Sequence, residues 1–236
     1  MEGFTYTNIF DTKGIEYLII IAFFAILIPF WILLNKRKVI ARKINEAWNV
    51  LTAELLRIPQ GLFFSKNHTW AHLEKSGTAK VGLDDFLLHI VGDVKIKPQK
   101  NPGDSIKKNE LMAEIVQNGR HLKIFSPISG KIMKTNSLLF EVPEMLNEDP
   151  YFEGWIYDIK PSDWKTETSA YYLADEATNW SSRELERFKD FLSVSIGKHS
   201  ADPSMVALQE GGELRNNVLS DLQYEIWEDF QKEFLG

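Results

Sequence analysis

Apolar and polar positions alternate in three different ways along this chain. From Tyr17 to Leu34 (YLIIIAFFAILIPFWILL) there is no charge and almost no polarity. Eighteen residues at about 1.5 Å each span about 27 Å, close to the ~30 Å hydrocarbon core of a bilayer. Thirteen of the eighteen are Leu, Ile or Phe, which favours insertion by roughly 4–8 kcal/mol. Pro29 is tolerable in lipid where a neighbour or a kink satisfies the freed carbonyl. Tyr17 and Trp31 sit toward the ends, where amphipathic rings prefer the interface. The pattern predicts a transmembrane helix over 17–34. A cleavable signal peptide would begin basic and end in small residues; here Glu2, Asp11 and Glu16 outnumber Lys13, and no A-x-A site follows.

The second regime has helical spacing. Ile40, Ile44, Trp48, Leu51 and Leu55 recur at steps of three to four, predicting an amphipathic juxtamembrane helix over 35–58, stopped by Pro59 and Gly61. Such a helix packs on the following domain or lies on the bilayer. From Leu62 to Ile159 short apolar stretches are separated by turn sequences such as Lys75-Ser76-Gly77, Asn101-Pro102-Gly103-Asp104 and Asn118-Gly119. That is the texture of a compact antiparallel β domain. Val94–Lys97 alternates as a half-exposed strand, and Leu83–Ile90 reads as a short helix. Residues 164–236 become helical again. One helix is expected to begin at Ser181-Ser182-Arg183-Glu184, with capping-box spacing, and to stop at Gly197; Leu185, Phe188, Phe191 and Leu192 form its apolar side. A second runs over 217–235, with a stripe of Leu219, Leu222, Ile226, Phe230 and Phe234 beside Trp227. Residues 197–215 between them read as a linker.

Charge orients this arrangement. Residues 35–48 carry five basic and one acidic side chain, and only Lys13 is basic before the apolar span. The positive-inside rule therefore puts residues 1–16 outside and the bulk of the chain in the cytoplasm, at the cell (inner) membrane. The basic block also suits an anionic bilayer surface. Residues 163–236 carry fifteen acidic and seven basic side chains, which argues against nucleic acid as a partner. There is no cysteine, so disulfides, thiolate metal sites and cysteine nucleophiles are excluded. The five histidines show no metal-ligand spacing beyond His68 and His72, a weak pair. No catalytic motif is found, and neither a metal nor a cofactor is expected.

Four segments of the β region, in order, resemble the H protein of the glycine cleavage system. They are Phe64-Ser65-Lys66-Asn67-His68-Thr69-Trp70 followed by Gly77-Thr78-Ala79-Lys80-Val81-Gly82; Gly92-Asp93-Val94 with Pro102-Gly103-Asp104; Ser126-Pro127-Ile128-Ser129-Gly130; and Leu146-Asn147-Glu148-Asp149-Pro150-Tyr151 with Glu153-Gly154-Trp155-Ile156. The resemblance covers 59–163. It implies a mainly β barrel-sandwich hybrid with flanking α-helices, and a hairpin tip whose lysine carries a lipoyl arm.

The tip itself departs from the family. Where the family reads Glu-Ser-Val-Lys, this chain reads Glu114-Ile115-Val116-Gln117. Counted back from Ser126, the acceptor position falls on Gly119 instead. Neither is lysine, and the nearest, Lys123, is expected on the returning strand. Gln117, Arg120 and His121 at the tip, and Trp227 and Phe230 on the last helix, are the candidate partner contacts. The sequence therefore predicts a non-catalytic, non-lipoylated, single-pass membrane subunit of a larger complex, of redox or respiratory type by analogy, whose partners are other subunits and the lipid bilayer. Two alternatives are a lipoyl carrier modified at Lys123 and an export adaptor of membrane-fusion type.

Overall fold

The alternation read between Leu62 and Ile159 resolves into two antiparallel sheets. A computed structural model describes residues 17–30, 50–199, 208–209 and 213–236. The chain divides into two compact units, residues 1–48 and 49–236. In the first, residues 17–30 form helix α1, with its side chains exposed throughout. Residues 31–34 of the expected span, and residues 35–49 of the expected amphipathic helix, lie outside the described residues. Among the described residues, no helix is both long and apolar enough to cross a membrane.

The second unit contains strands β1 (Val50–Leu51), β2 (Phe63–Phe64), β3 (Thr69–Leu73), β4 (Ala79–Leu83), β5 (Lys95–Pro98), β6 (Ser105–Ile106), β7 (Leu111–Gln117), β8 (Arg120–Phe125), β9 (Gly130–Thr135), β10 (Tyr157–Pro161), β11 (Leu208–Gln209) and β12 (Glu213–Arg215). Its helices are α2 (Asp85–Val91), α3 (Leu138–Glu141), α4 (Met145–Glu148), α5 (Trp164–Thr168), α6 (Asp175–His199) and α7 (Tyr224–Phe230). The main sheet has the order β2-β3-β4-β10-β9-β6, a second sheet β5-β7-β8, and a small third sheet β1-β12-β11. The expected short helix is present as α2. Asp84 caps it, its Oδ1 accepting the Leu87 N–H at 2.9 Å, which satisfies an otherwise orphaned donor. Gly82 stands opposite Trp70 across β3 and β4, and a Cβ there would meet the indole at 2.7 Å. The missing side chain lets the ring lie against the neighbouring strand.

Four expectations are corrected here. Leu51 and Leu55 do not share a helix face. Leu51 lies in β1, opposite Leu214, and Leu55 follows in a turn; both are buried. Pairing with the far end of the chain overrides the local periodicity, because a strand followed by a turn buries the same two leucines. Part of the expected linker is sheet, since residues 208–209 and 213–215 form β11 and β12. Helix α6 starts at Asp175, before the expected cap. Ser181 and Ser182 lie inside it, their hydroxyls donating back to Thr178 O at 3.0 and 3.1 Å, a bond open to serine in mid-helix. Gly197 is also inside α6. Its neighbourhood is open space, so its position needs no stop. The final helix is not continuous either. It is a 3-10 turn at Val218–Asp221, an extended break at Leu222 and Gln223, then α7, then a π-helical turn at Gln231–Leu235. The break lets Val218, Leu219 and Leu222 reach the core together with Ile226, Phe230 and Phe234.

That core runs from both larger sheets through α2 to the inner side of α6 and the C-terminal segment. Leu185, Phe188 and Leu192 supply the buried side of α6, with Phe191 partly buried beside them. Phe188 meets Phe86, Phe230 and Phe234 edge-on at 5.7–6.0 Å, a geometry that aromatic quadrupoles favour.

Candidate functional site

Strands β7 and β8 form a hairpin closed by two residues. Gln117 pairs with Arg120, and Asn118 and Gly119 turn the chain at φ +49° and +81°. Both central residues must adopt left-handed backbone in the tight turn that matches strand twist, and Asn-Gly does so at little cost. The turn expected at this dipeptide is therefore present.

The side chains beside the turn are tied to the chain's own backbone. Gln117 Nε2 donates to Val91 O at 2.7 Å and to Asp93 O at 2.9 Å. Two carbonyl acceptors fix which end of the amide is nitrogen, and Gln117 Oε1 is buried without a partner among the described residues. Arg120 donates from Nη1 to Ser220 O at 2.8 Å and lies 5.5 Å from the Trp227 ring centroid, within cation–π range. The His121 side chain is half exposed, with Nδ1 3.5 Å from Glu114 Oε2. Glu114 itself lies between Lys97 and Lys123 across the strands. Beside the tip is a cleft of about 440 Å³, lined by Asp93, Lys95, Gln117, Asn118, Glu144 and Asn147 among others.

Lys123 sits within β8, opposite Glu114, and its side chain is exposed. Gln231 holds its backbone on the sheet's open edge. The Lys123 N–H donates to Gln231 Oε1 at 2.6 Å, and Gln231 Nε2 donates to Lys123 O at 3.2 Å. One side-chain amide thus does what a neighbouring strand would do for an edge.

The candidate contacts on the last helix are corrected. Trp227 and Phe230 are 1% and 0% exposed, and Trp227 Nε1 donates to Leu219 O at 2.7 Å. Their apolar faces complete this chain's own core, so they offer no surface to another protein. The weak pair His68 and His72 does not share one strand. His68 precedes β3 at φ +57° and is fully buried, whereas His72 lies within β3, half-buried, with Nδ1 3.1 Å from Gly61 O.

Two groups of buried charges escaped the sequence reading. His68 Nδ1 donates to Asp84 Oδ2 at 2.9 Å, and its Nε2 faces Glu184 Oε2 at 3.7 Å. The second distance is an ion pair, too long for a hydrogen bond. The imidazole stacks on Phe86 and Trp180. Burial alone would lower its pKa, but Asp84, with Glu184 behind it, outweighs burial and raises it to about 9. In the other group, Arg57 donates to Asp85 from its backbone N–H, Nε and Nη2, and to Glu148 O and Asn147 O. Tyr151 closes the ring of contacts by donating to Arg57 O. Burial pushes Asp85 up, yet His89 and Arg57 hold it below the usual carboxylate range. The helix that carries Asp85 was visible in the sequence; the partners, far away in sequence, were not.

Chemically, the tip has no primary amine. No lysine lies between Lys108 and Lys123, and an amide, a glycine and a guanidinium cannot take up an acyl group as an ε-amine can.

Comparison with known proteins places this geometry. The family model for the glycine cleavage H-protein matches residues 62–183. A glycine cleavage system H protein from Anaeromyxobacter sp. (strain K) is 38% identical over 108 residues, covering 46% of this chain and 84% of that protein. A probable glycine cleavage system H protein from Thermococcus gammatolerans is 34% identical over 106 residues, covering 45% and 78%. The crystal structure of a glycine cleavage system H protein from Mycobacterium marinum aligns with a TM-score of 0.41 at 22% identity, covering 44% of this chain and 87% of that one. The family-model match over more than half of the chain, and relatives over 30% identical across most of their length, make this chain a member of the glycine cleavage H-protein family.

Proposed function

We propose that this chain is a non-catalytic, non-lipoylated H-protein-like subunit, anchored in the cell membrane by residues 17–34 with its β domain on the cytoplasmic side. In this reading it is a structural or assembly component of a larger membrane complex, of redox or respiratory type. The observation that carries the proposal is the hairpin tip. Gln117-Asn118-Gly119-Arg120 offers no amine, and both flanking side chains are tied to the domain's own carbonyls. A lipoyl amide forms on a lysine amine, and a carboxamide nitrogen is not nucleophilic.

The alternatives have less support. Lys123 lies within a strand whose backbone Gln231 brackets, not at an exposed turn. An export adaptor would carry a long helical hairpin inside the β domain, whereas β2 to β10 are joined here only by short helices and turns. The anchor is supported by the uncharged run over 17–34 and the basic block behind it.

The test is purification of the full chain from its native membrane in mild detergent. The expected result is an intact mass without a lipoyl adduct, together with co-purifying subunits. A lipoyl adduct on Lys123, or a clean monomer that needs no detergent, overturns the proposal.

A further inference from the structure

A second concavity lies away from the hairpin tip. It is a pocket of about 350 Å³ between the turn before β3, the turn after β6, the end of β8 and the loop after α5. Its walls are aromatic, from Phe125, Tyr171 and Tyr172, and its polar rim is entirely donor-bearing. Lys66, Asn67, Lys108 and Asn109 line it, and no carboxylate does.

The ammonium of Lys108 is fixed in place. Its Nζ donates to Glu167 O at 2.7 Å and lies 4.5 Å from the Tyr171 ring centroid. An ammonium has three donors, so N–H capacity remains. The Glu167 carboxylate does not pair with it, because both oxygens accept from Ser129, one from the backbone N–H and one from the hydroxyl. Lys66 is exposed, and its ammonium has no carboxylate partner among the described residues. The side-chain amides of Asn67 and Asn109 make no hydrogen bond among the described residues either. Asn109 is held at φ +63° by its N–H donating to Ser126 O at 2.9 Å, so its position is set by backbone. Tyr171 is anchored by its hydroxyl donating to Pro127 O, and Tyr172 by stacking on Trp180 at 4.9 Å.

Two ammonium groups and two unused amides, over an aromatic wall, make a local field opposite in sign to the chain's net charge of −6. A concave, largely apolar site with a few convergent donors is the ordinary form of a small-molecule site, and low-dielectric walls strengthen the attraction for an anion. We infer that this pocket binds a small molecule with a flat aromatic body and one carboxylate or phosphate group. The head is held by Lys66 and Lys108, and the body lies against Tyr171 and Tyr172.

The full chain in mild detergent is titrated with phenyl phosphate, benzoate, inorganic phosphate and neutral benzamide, following the amide resonances of Asn67 and Asn109. Phenyl phosphate or benzoate should saturate these shifts, and the tighter of the two identifies the head group. Inorganic phosphate and benzamide should each bind at least tenfold more weakly, since each lacks half of the recognised structure. Lys66→Met, at an exposed position that folding does not need, should weaken aryl-anion binding about tenfold. Lys108→Met should do the same or more, and Lys107→Met, outside the pocket, should leave it unchanged. Failure of every aryl anion to saturate overturns the inference. So does benzamide matching benzoate, inorganic phosphate matching phenyl phosphate, or Lys66→Met binding as the parent does.

Discussion

The turn that carries His68 and the hairpin tip that carries Gln117 both hold polar side chains still, by opposite means. Around His68 the means is full charge sealed from water, with the imidazole between Asp84 and Glu184 and no exposed surface. At the tip a neutral amide and a half-buried guanidinium reach backbone carbonyls near solvent. Buried charge is strong but must stay paired. Amide-to-carbonyl bonding is modest and indifferent to pH. Both regions lean on the same C-terminal segment, His68 through Phe234 at 6.0 Å and Arg120 through Trp227 at 5.5 Å. The segment after α6 is therefore part of the domain's interior, and the tip is one of the surfaces it holds down.

The largest expected effect breaks the first region. His68→Ala takes the buried cation away from Asp84 and leaves Glu184 with Arg187 alone, and removing one member of a buried charged group costs about 3–5 kcal/mol. Urea unfolding at pH 6 should report that loss. The pH dependence separates charge from packing. The folded pKa of His68 is about 9 against 6.5 for the free group. Its charge-linked stability is thus complete below about pH 6.5 and is lost as pH rises through about 9, on the order of 3 kcal/mol in all. Burial pushes Glu184 up, but His68 and Arg187 more than offset it and leave its pKa low. That is the same contact seen from its acidic partner, and it is lost at the other end of the scale as pH falls. The parent should weaken steadily between pH 6.5 and 9, whereas His68→Ala should be nearly flat there. A parent whose urea midpoint stays constant across that window would refute the charged arrangement.

How much of this was legible depends on how local each contact is. The short helix α2, the Asn118-Gly119 turn, the β texture and the buried side of α6 were readable, because each is set by neighbours a few residues away. The pairing of β1 with β12 was not. Its apolar residues fit a helical spacing equally well, and the deciding partner lies at the other end of the chain. The stripe from Leu219 to Phe234 was correctly read as apolar but not as broken, because the break at Leu222 answers to the shape of the core. At the site, the absence of lysine was plain from sequence. The docking of Gln117 on Val91 O and Asp93 O, and of Gln231 on Lys123, was invisible, since glutamine at a surface turn carries no sign of its acceptor.

A smaller effect sharpens the second region. Gln117→Ala removes two hydrogen bonds to carbonyls at the end of α2. Each is worth about 0.5–1.5 kcal/mol net, and the partial exposure of the site favours the lower end. A total loss of about 1–2 kcal/mol is expected, the same at pH 6.5 and pH 9. Amide hydrogen exchange should quicken over residues 92–94 and 117–120 and stay unchanged near His68. A loss that grows with pH would show that the tip shares the electrostatics of the His68 region, and the contrast between the two would fail.

The smallest effect on stability is expected at His121. Its side chain is 52% exposed, and its one charged neighbour, Glu114, is 3.5 Å away. Exposed ion pairs are worth about 0–1 kcal/mol, and 3.5 Å is a loose one. His121→Ala should therefore lower the unfolding free energy measured in urea by less than about 0.5 kcal/mol. Of these three residues, Gln117, Arg120 and His121, His121 alone is not tied to backbone, which leaves it the one of the three able to serve the proposed partner contact. The same variant, purified in mild detergent, should retain fewer partner subunits than the parent while remaining folded. Should its stability fall as far as that of Gln117→Ala, His121 belongs to the staple as well, and none of the three is free.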